Sequence, residues 1–312
     1  MKKIFILAMG LMLAVFAAAC GTKEAEETSA SAAKKELTIE HQLGETKVPE
    51  NPEKVVVFDF GTLDSMDKLG IEAAGVPQQN IPSYLSKYED EKYENVGGLK
   101  EPDFEKINEM APDLIIISGR QQDSYEEMSK IAPTIFMGVD TEKYMESFKE
   151  NVTTLGKIFG KEAEAEKEFA KVEDSIKSLN EKASSGSEKA LIILANDGKV
   201  SAYGAGSRFG IIHDEFGFAQ ADENIEASTH GQSISFEYIV EKDPDYLFVI
   251  DRGAVVGGES SAKQVVENEL VKKTKAYQNG NIIYLDPNYW YLSGGGLVSV
   301  AGMAEEAGKV IE

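Results

Sequence analysis

A block of twenty residues occurs twice in this chain without a gap. Residues 101–120 (EPDFEKINEMAPDLIIISGR) align with residues 233–252 (SISFEYIVEKDPDYLFVIDR). Phe104 meets Phe236, Glu105 meets Glu237, Ile107 meets Ile239, Pro112-Asp113 meets Pro244-Asp245, and Arg120 meets Arg252. Self-similarity at this separation implies two lobes of similar design, each with a glutamate on a short helix and an arginine just past a strand. The function is then something that two lobes do together.

Arginine usage sharpens that expectation. Of 32 basic residues only Arg120, Arg208 and Arg252 are arginine, and each falls where a predicted strand or turn gives way to the next element. Lysine carries the ordinary surface charge here. Arginine is suited to rigid, forked recognition of anionic oxygens.

Periodicity places the elements. Residues 54–60 (KVVVFDF) read as a strand, 62–69 as a helix and 73–76 as a short strand. A helix at 103–110, a strand at 114–118, a helix near 124–131 and a strand at 134–138 continue an alternation typical of a parallel α/β lobe. Two helices follow, 143–159 and 161–183, the second long and charged, roughly 35 Å if straight. The second lobe restarts with a hairpin (190–195, Asn196-Asp197-Gly198, 199–203) and a helix at 209–216. Helices at 236–241 and 262–270, strands at 246–250 and 281–285, and a last helix at 297–311 complete it. The fold expected is α/β: two Rossmann-like lobes, 37–160 and 187–312, joined by one long helix within 161–186.

The N-terminus reads as an address. Lys2 and Lys3, an apolar run at 4–16 and Ala17-Ala18-Ala19 make residues 1–19 a signal peptide, too short to span a membrane comfortably. Cys20 follows at once, as the thiol of a lipobox does; plain cleavage or a buried free thiol are the other readings. Residues 20–36, Ala-, Ser-, Thr-, Glu- and Lys-rich beyond the cysteine, read as a flexible tether. A single cysteine excludes an intrachain disulfide, and 42% hydrophobic residues supply a core instead. Loss of Lys2 and Lys3 takes the formal charge from −22 to −24, which argues against nucleic acid. A few focused arginines can still dominate a cleft locally.

Lipobox, repeated F-E-x-I-x-x-x-x-P-D blocks and a lone linking helix together resemble the substrate-binding lipoproteins of ABC iron-siderophore importers, a class III periplasmic-binding-protein-like family. The likeness covers essentially the whole mature chain. VVVFDFGTLDSMDKLG, SYLSKYEDEKY, STHGQSISFEYI and YLSGGG look closest to the petrobactin and catecholate binders of Gram-positive bacteria. The resemblance implies a membrane-anchored extracytoplasmic monomer that holds a ferric siderophore in the inter-lobe cleft without touching iron itself, and therefore no cofactor. It implies that Glu105 and Glu237 dock on the permease. Helical geometry agrees, since each glutamate is turned about 100° from a core-facing phenylalanine.

The same resemblance puts Arg120, Arg208 and Arg252 in the cleft. Tyr289 and Trp290, before Ser293-Gly294-Gly295-Gly296, are candidate stacking residues, with ordinary core packing as the alternative. Tyr203, His230 and Gln232 are further candidates, although a lone histidine is usually structural. A cobalamin or haem receptor of the same architecture would lack a trianionic ligand face. An exported enzyme would need a nucleophile with a base, and none is apparent. Gly204, Gly206 and Gly210 miss dinucleotide-loop spacing by one residue, and His41, His213 and His230 show no metal-ligand spacing.

Overall fold

The computed structural model describes residues 35–311. The expected signal peptide, Cys20 and all of the tether except Lys35 and Glu36 lie outside the described residues; Glu36 already belongs to the first strand. Two strands unforeseen in the sequence, β1 (Glu36–His41) and β2 (Gly44–Pro49), form an antiparallel hairpin. Their alternation is weak because only Ile39 and Val48 are buried.

The first α/β half contains β3 (Val55–Val57), α1 (Phe60–Lys68), β4 (Gly75–Val76), β5 (Glu94–Asn95), α2 (Phe104–Met110), β6 (Leu114–Ile117), α3 (Tyr125–Met128), β7 (Thr134–Phe136) and α4 (Tyr144–Phe159). Its parallel sheet runs β5-β4-β3-β6-β7. The apolar run at 54–60 ends earlier than its composition suggests. Asp59 caps α1, its Oδ1 accepting the Thr62 N–H at 2.7 Å, so Phe60 opens the helix.

Helix α5 (Glu162–Ala183) connects to the second half. There follow β8 (Lys189–Asn196), β9 (Lys199–Tyr203), α6 (Ile211–Asp214), β10 (Ala219–Gln220), β11 (Gln232–Ile234), α7 (Phe236–Lys242), β12 (Tyr246–Asp251), α8 (Gly253–Val256), α9 (Ala262–Val266), α10 (Lys275–Gln278), β13 (Ile282–Leu285) and α11 (Leu297–Gly308). The sheet order is β11-β9-β8-β12-β13, with β10 also pairing β8. The helix expected at 262–270 stops at Val266, and Leu270 and Val271 donate their N–H groups to Asn268 Oδ1 instead of continuing it.

The central strands of the two larger sheets are covered on both faces, which explains the unbroken apolar runs of β3, β6, β8 and β12. Val55, Val57, Leu114 and Ile116 face one core, while Val56, Ile115 and Ile117 face another on the opposite side. In the second half Ile192 and Phe248 face the first of these cores, and Leu191, Ile193 and Leu247 face a third. The first core therefore runs from sheet to sheet through α1, α4, α5 and α11. Helix α11, the last in the chain, packs on α5 and on α1 of the opposite half.

The repeat is a repeat of local chemistry as well as of letters. Asp103 caps α2 and Ser235 caps α7; Ala111 and Asp243 end those helices in the left-handed region at φ 45° and 40°. Asp113 Oδ2 then accepts the N–H groups of Glu53 and Lys54, and Asp245 Oδ2 accepts that of Lys189, each at 2.9 Å. These clips tie the start of β6 to β3 and of β12 to β8.

Candidate functional site

Ligands of open parallel sheets gather at the carboxyl ends of strands, where the following loops diverge. Arg120 stands in the turn just after β6, Arg252 directly follows β12, and Arg208 follows β9. All three converge on one residue, Tyr291.

Arg120 Nη2 donates to the Tyr291 carbonyl at 2.8 Å and its Nη1 to the Leu292 carbonyl at 3.4 Å. Arg208 Nη2 donates to the same Tyr291 carbonyl at 2.6 Å. Arg252 Nε donates to the Tyr291 hydroxyl at 2.8 Å, and its Nη1 to Asn196 Oδ1 at 2.8 Å. The Tyr291 ring also lies under two guanidinium groups, 4.4 Å from Arg208 Cζ and 5.7 Å from Arg252 Cζ.

Tyr291 reaches this position because residues Asn288–Ser293 form a π-helical turn, closed by the Gly294 N–H on the Tyr289 carbonyl at 2.8 Å. Trp290 and Leu292 are buried on either side of it in sequence, leaving the Tyr291 backbone and ring to the arginines. Gly294 and Gly295, at φ 52° and 123°, then turn the chain into α11.

The electrostatics are one-sided. Among the described residues every ion pair is made by a lysine, and no arginine has a carboxylate oxygen within 4.0 Å. Burial, together with Arg120, holds the Arg208 guanidinium below its ordinary value. Burial opposes ionisation of the Tyr291 phenol, yet the Arg252 hydrogen bond and the charges of Arg208, Arg252 and Arg120 keep it below the usual tyrosine range. In a chain with 54 acidic residues, three guanidinium groups paired only with neutral oxygens form a concentrated positive site.

Two cavities meet at Arg252 and Tyr291. One, about 250 Å³, adds Arg120, Gln79, Lys100 and Glu101; the other, about 210 Å³, adds Arg208, Tyr203, Lys199 and His230. A larger cavity of about 400 Å³ lies between the β1–β2 hairpin and α4. Glu40, Asp140, Glu146 and Glu150 line it against Lys143 and His41, so it suits no anion.

The structure thus brings Arg120, Arg208, Arg252, Tyr203 and His230 together. His230 is exposed at the rim. Tyr203 is buried against Phe209, and burial pushes its phenol up to about 12. Gln232 is exposed on β11, opposite Ala202, and lines neither arginine cavity. Tyr289 packs on Tyr84 at 4.9 Å, away from both. Trp290, a candidate for the cleft wall with core packing as the alternative, is in the core: it is 2% exposed, its Nε1 donates to Glu306 at 2.9 Å, and Phe216 meets it edge-on. The sequence shows Tyr291 only as part of a late aromatic run and Asn196 only as a turn residue, and marks neither as a site residue. The W-Y-L alternation, two bulky apolar residues flanking an amphipathic one, was the signal available for Tyr291.

The model of the periplasmic binding protein family matches residues 55–289. This chain belongs to that family. It is 55% identical to the petrobactin-binding protein YclQ of Bacillus subtilis, over the full length of both chains. It is 33% identical to the ferric-anguibactin-binding protein FatB of Vibrio anguillarum, covering 90% of this chain and 89% of that one. Among solved structures, YclQ superposes with a TM-score of 0.88 at 57% identity, covering 89% of this chain and 99% of that chain. The catecholate-siderophore binding protein VctP of Vibrio cholerae gives 0.83 at 40% identity, over 88% and 99%. The two-lobed α/β architecture with a single connecting helix is therefore that of these binding proteins.

Proposed function

We propose that this chain is a lipid-anchored extracytoplasmic receptor that captures an anionic ferric siderophore, petrobactin or a related catecholate, and passes it to an ABC permease. The observation that carries the reading is the convergence of Arg120, Arg208 and Arg252 on Tyr291 without a carboxylate partner. Deprotonated catecholate and carboxylate oxygens around Fe(III) are hard acceptors that match forked guanidinium donors. Each charge-assisted hydrogen bond contributes roughly 1.5 to 3 kcal/mol, so three supply roughly 5 to 9 kcal/mol before desolvation. Iron is cargo, held by the chelator. Kinship with binding proteins supports a role without catalysis, and a monomer is expected.

Glu105 and Glu237 suit permease docking because both are exposed in the first turn of α2 and α7. Titrating the protein with ferric petrobactin, bacillibactin, enterobactin, ferrichrome and citrate, followed by intrinsic fluorescence, tests the reading. Submicromolar binding of at least one catecholate is expected; indifference to all five complexes would refute it.

A further inference from the structure

Asp64, in the middle of α1, is fully buried and carries an unusual set of partners. Its Oδ1 accepts the Val298 N–H at 3.1 Å, and its Oδ2 accepts the Ser299 N–H and the Tyr84 hydroxyl at 3.0 Å each. The first two donors belong to the opening turn of α11, so a buried carboxylate from one half of the fold caps the terminal helix that follows the other half. The neighbouring Ser65 Oγ accepts the Leu297 N–H at 3.0 Å.

Tyr84 extends the chain of bonds. Its hydroxyl lies 2.6 Å from Ser293 Oγ, the last residue of the π-helical turn. Ser293 is one residue beyond Leu292 and two beyond Tyr291, whose carbonyls hold Arg120 and Arg208. The π turn is thus fastened on one side to Asp64 and on the other to the guanidinium groups.

We propose that Asp64 is a positioning residue for the arginine cluster: through Tyr84, Ser293 and the first turn of α11 it sets the Tyr291 carbonyl against which Arg120 and Arg208 align. The inference rests on the anion-binding reading above and adds a group that never touches the ligand. A phenol has one proton. While Asp64 is charged, Tyr84 donates to it and accepts from Ser293; once Asp64 is protonated, its new O–H can donate to Tyr84, and Tyr84 then donates to Ser293. The direction of the run reverses, and the hold on the π turn changes with it.

Several elements bring polar groups to Asp64. From the turn at 83–89 comes Tyr84, with Ser293 of the π turn behind it, from α4 Tyr144, whose buried hydroxyl has no partner among the described residues, from the π turn Tyr289, and from α11 Val298 and Ser299. Burial pushes the carboxyl up to about 6, against hydrogen bonds from Ser299, Val298 and Tyr84 that hold it down.

The test uses the mature protein, Asp64→Asn, Tyr84→Phe and Ser293→Ala. Because the chain has only three arginines, an arginine-selective NMR spectrum reports this cluster alone. In the ligand-free wild type the Arg120 and Arg208 signals should shift together as pH is lowered from about 8 to about 5, following the ionisation of Asp64. Asp64→Asn should abolish that response and weaken ferric petrobactin binding about tenfold near neutral pH, the worth of one charge-assisted bond. The ratio of its affinity to that of the wild type should approach one at the acid end. Ser293→Ala should blunt the same response in an intact fold, as should Tyr84→Phe, so a failure of Asp64→Asn to fold leaves the test standing. Arginine signals and affinities that match the wild type across the pH range in the folded variants would overturn the positioning role. A wild type that binds no ferric catecholate while its arginine signals still follow Asp64 would instead remove the proposed function and leave the linkage.

Discussion

At the residue scale, the arginines were legible because they were rare and fell at strand ends, two of them in register across the repeat. Replacing any one of Arg120, Arg208 or Arg252 by alanine should weaken ferric catecholate binding at least about tenfold, as expected for one charge-assisted hydrogen bond. Isothermal titration checks this, and retained affinity in all three variants would refute the basic site. Trp290 was illegible for a physical reason: an indole is large enough for a core and polar enough for a rim, and Glu306 decides between them by accepting its N–H. Asp64 was hidden because its partners Val298 and Ser299 are more than two hundred residues away in sequence. Its ionisation makes a prediction of its own. The folded carboxyl titrates near 6 against an ordinary value of 3.8, so the folded state holds the proton more tightly. Its contribution to stability is greatest below about pH 4 and is lost as pH rises through about 6, a change on the order of 3 kcal/mol. Urea midpoints of wild type and Asp64→Asn should therefore differ by a pH-dependent amount over that window, and parallel curves would contradict it.

At the scale of elements, helices α2 and α7 were read almost to the residue, because capping residues, Pro-Asp clips and apolar strands recur together. The β1–β2 hairpin escaped notice since its strands carry little apolar alternation. The π turn escaped as well: nothing local distinguishes Asn288–Ser293 from an ordinary strand end, and its shape follows from burying Trp290 and Leu292 while aiming the Tyr291 carbonyl at two arginines. Glycine at 296 is required by its neighbour. A Cβ there would collide with the Asp64 carboxylate. Gly296→Ala should then cost about 1 to 3 kcal/mol by forcing α11 off its cap, measurable as a lowered denaturant midpoint with an unchanged slope.

Across the whole molecule, the two-lobe plan followed from the repeat and the lone helix α5, whereas the depth of contact between the halves did not. That helix packs on both α4 and α11, and one apolar core joins the sheets through it. Closure around a ligand should accordingly be slight: the radius of gyration from X-ray scattering should change by less than about 1 Å on loading, and a larger contraction would indicate a hinge. Reversing charge at both Glu105 and Glu237 should abolish siderophore uptake in cells while ferric petrobactin affinity in solution stays within about twofold of the wild type, surface changes being weak at a distance. Loss of binding by that double variant would count against a docking role.

The crossing of α11 onto α1 bears on how the molecule is made. Leu297 and Ser65, joined by a hydrogen bond, are 232 positions apart. A chain emerging N-terminus first presents α1 long before the segment that will cover it exists, so its first half must wait, partly uncovered, for its last turn of helix. Such distant closure slows folding, and a chain truncated before Leu297 would leave both halves unfinished at once.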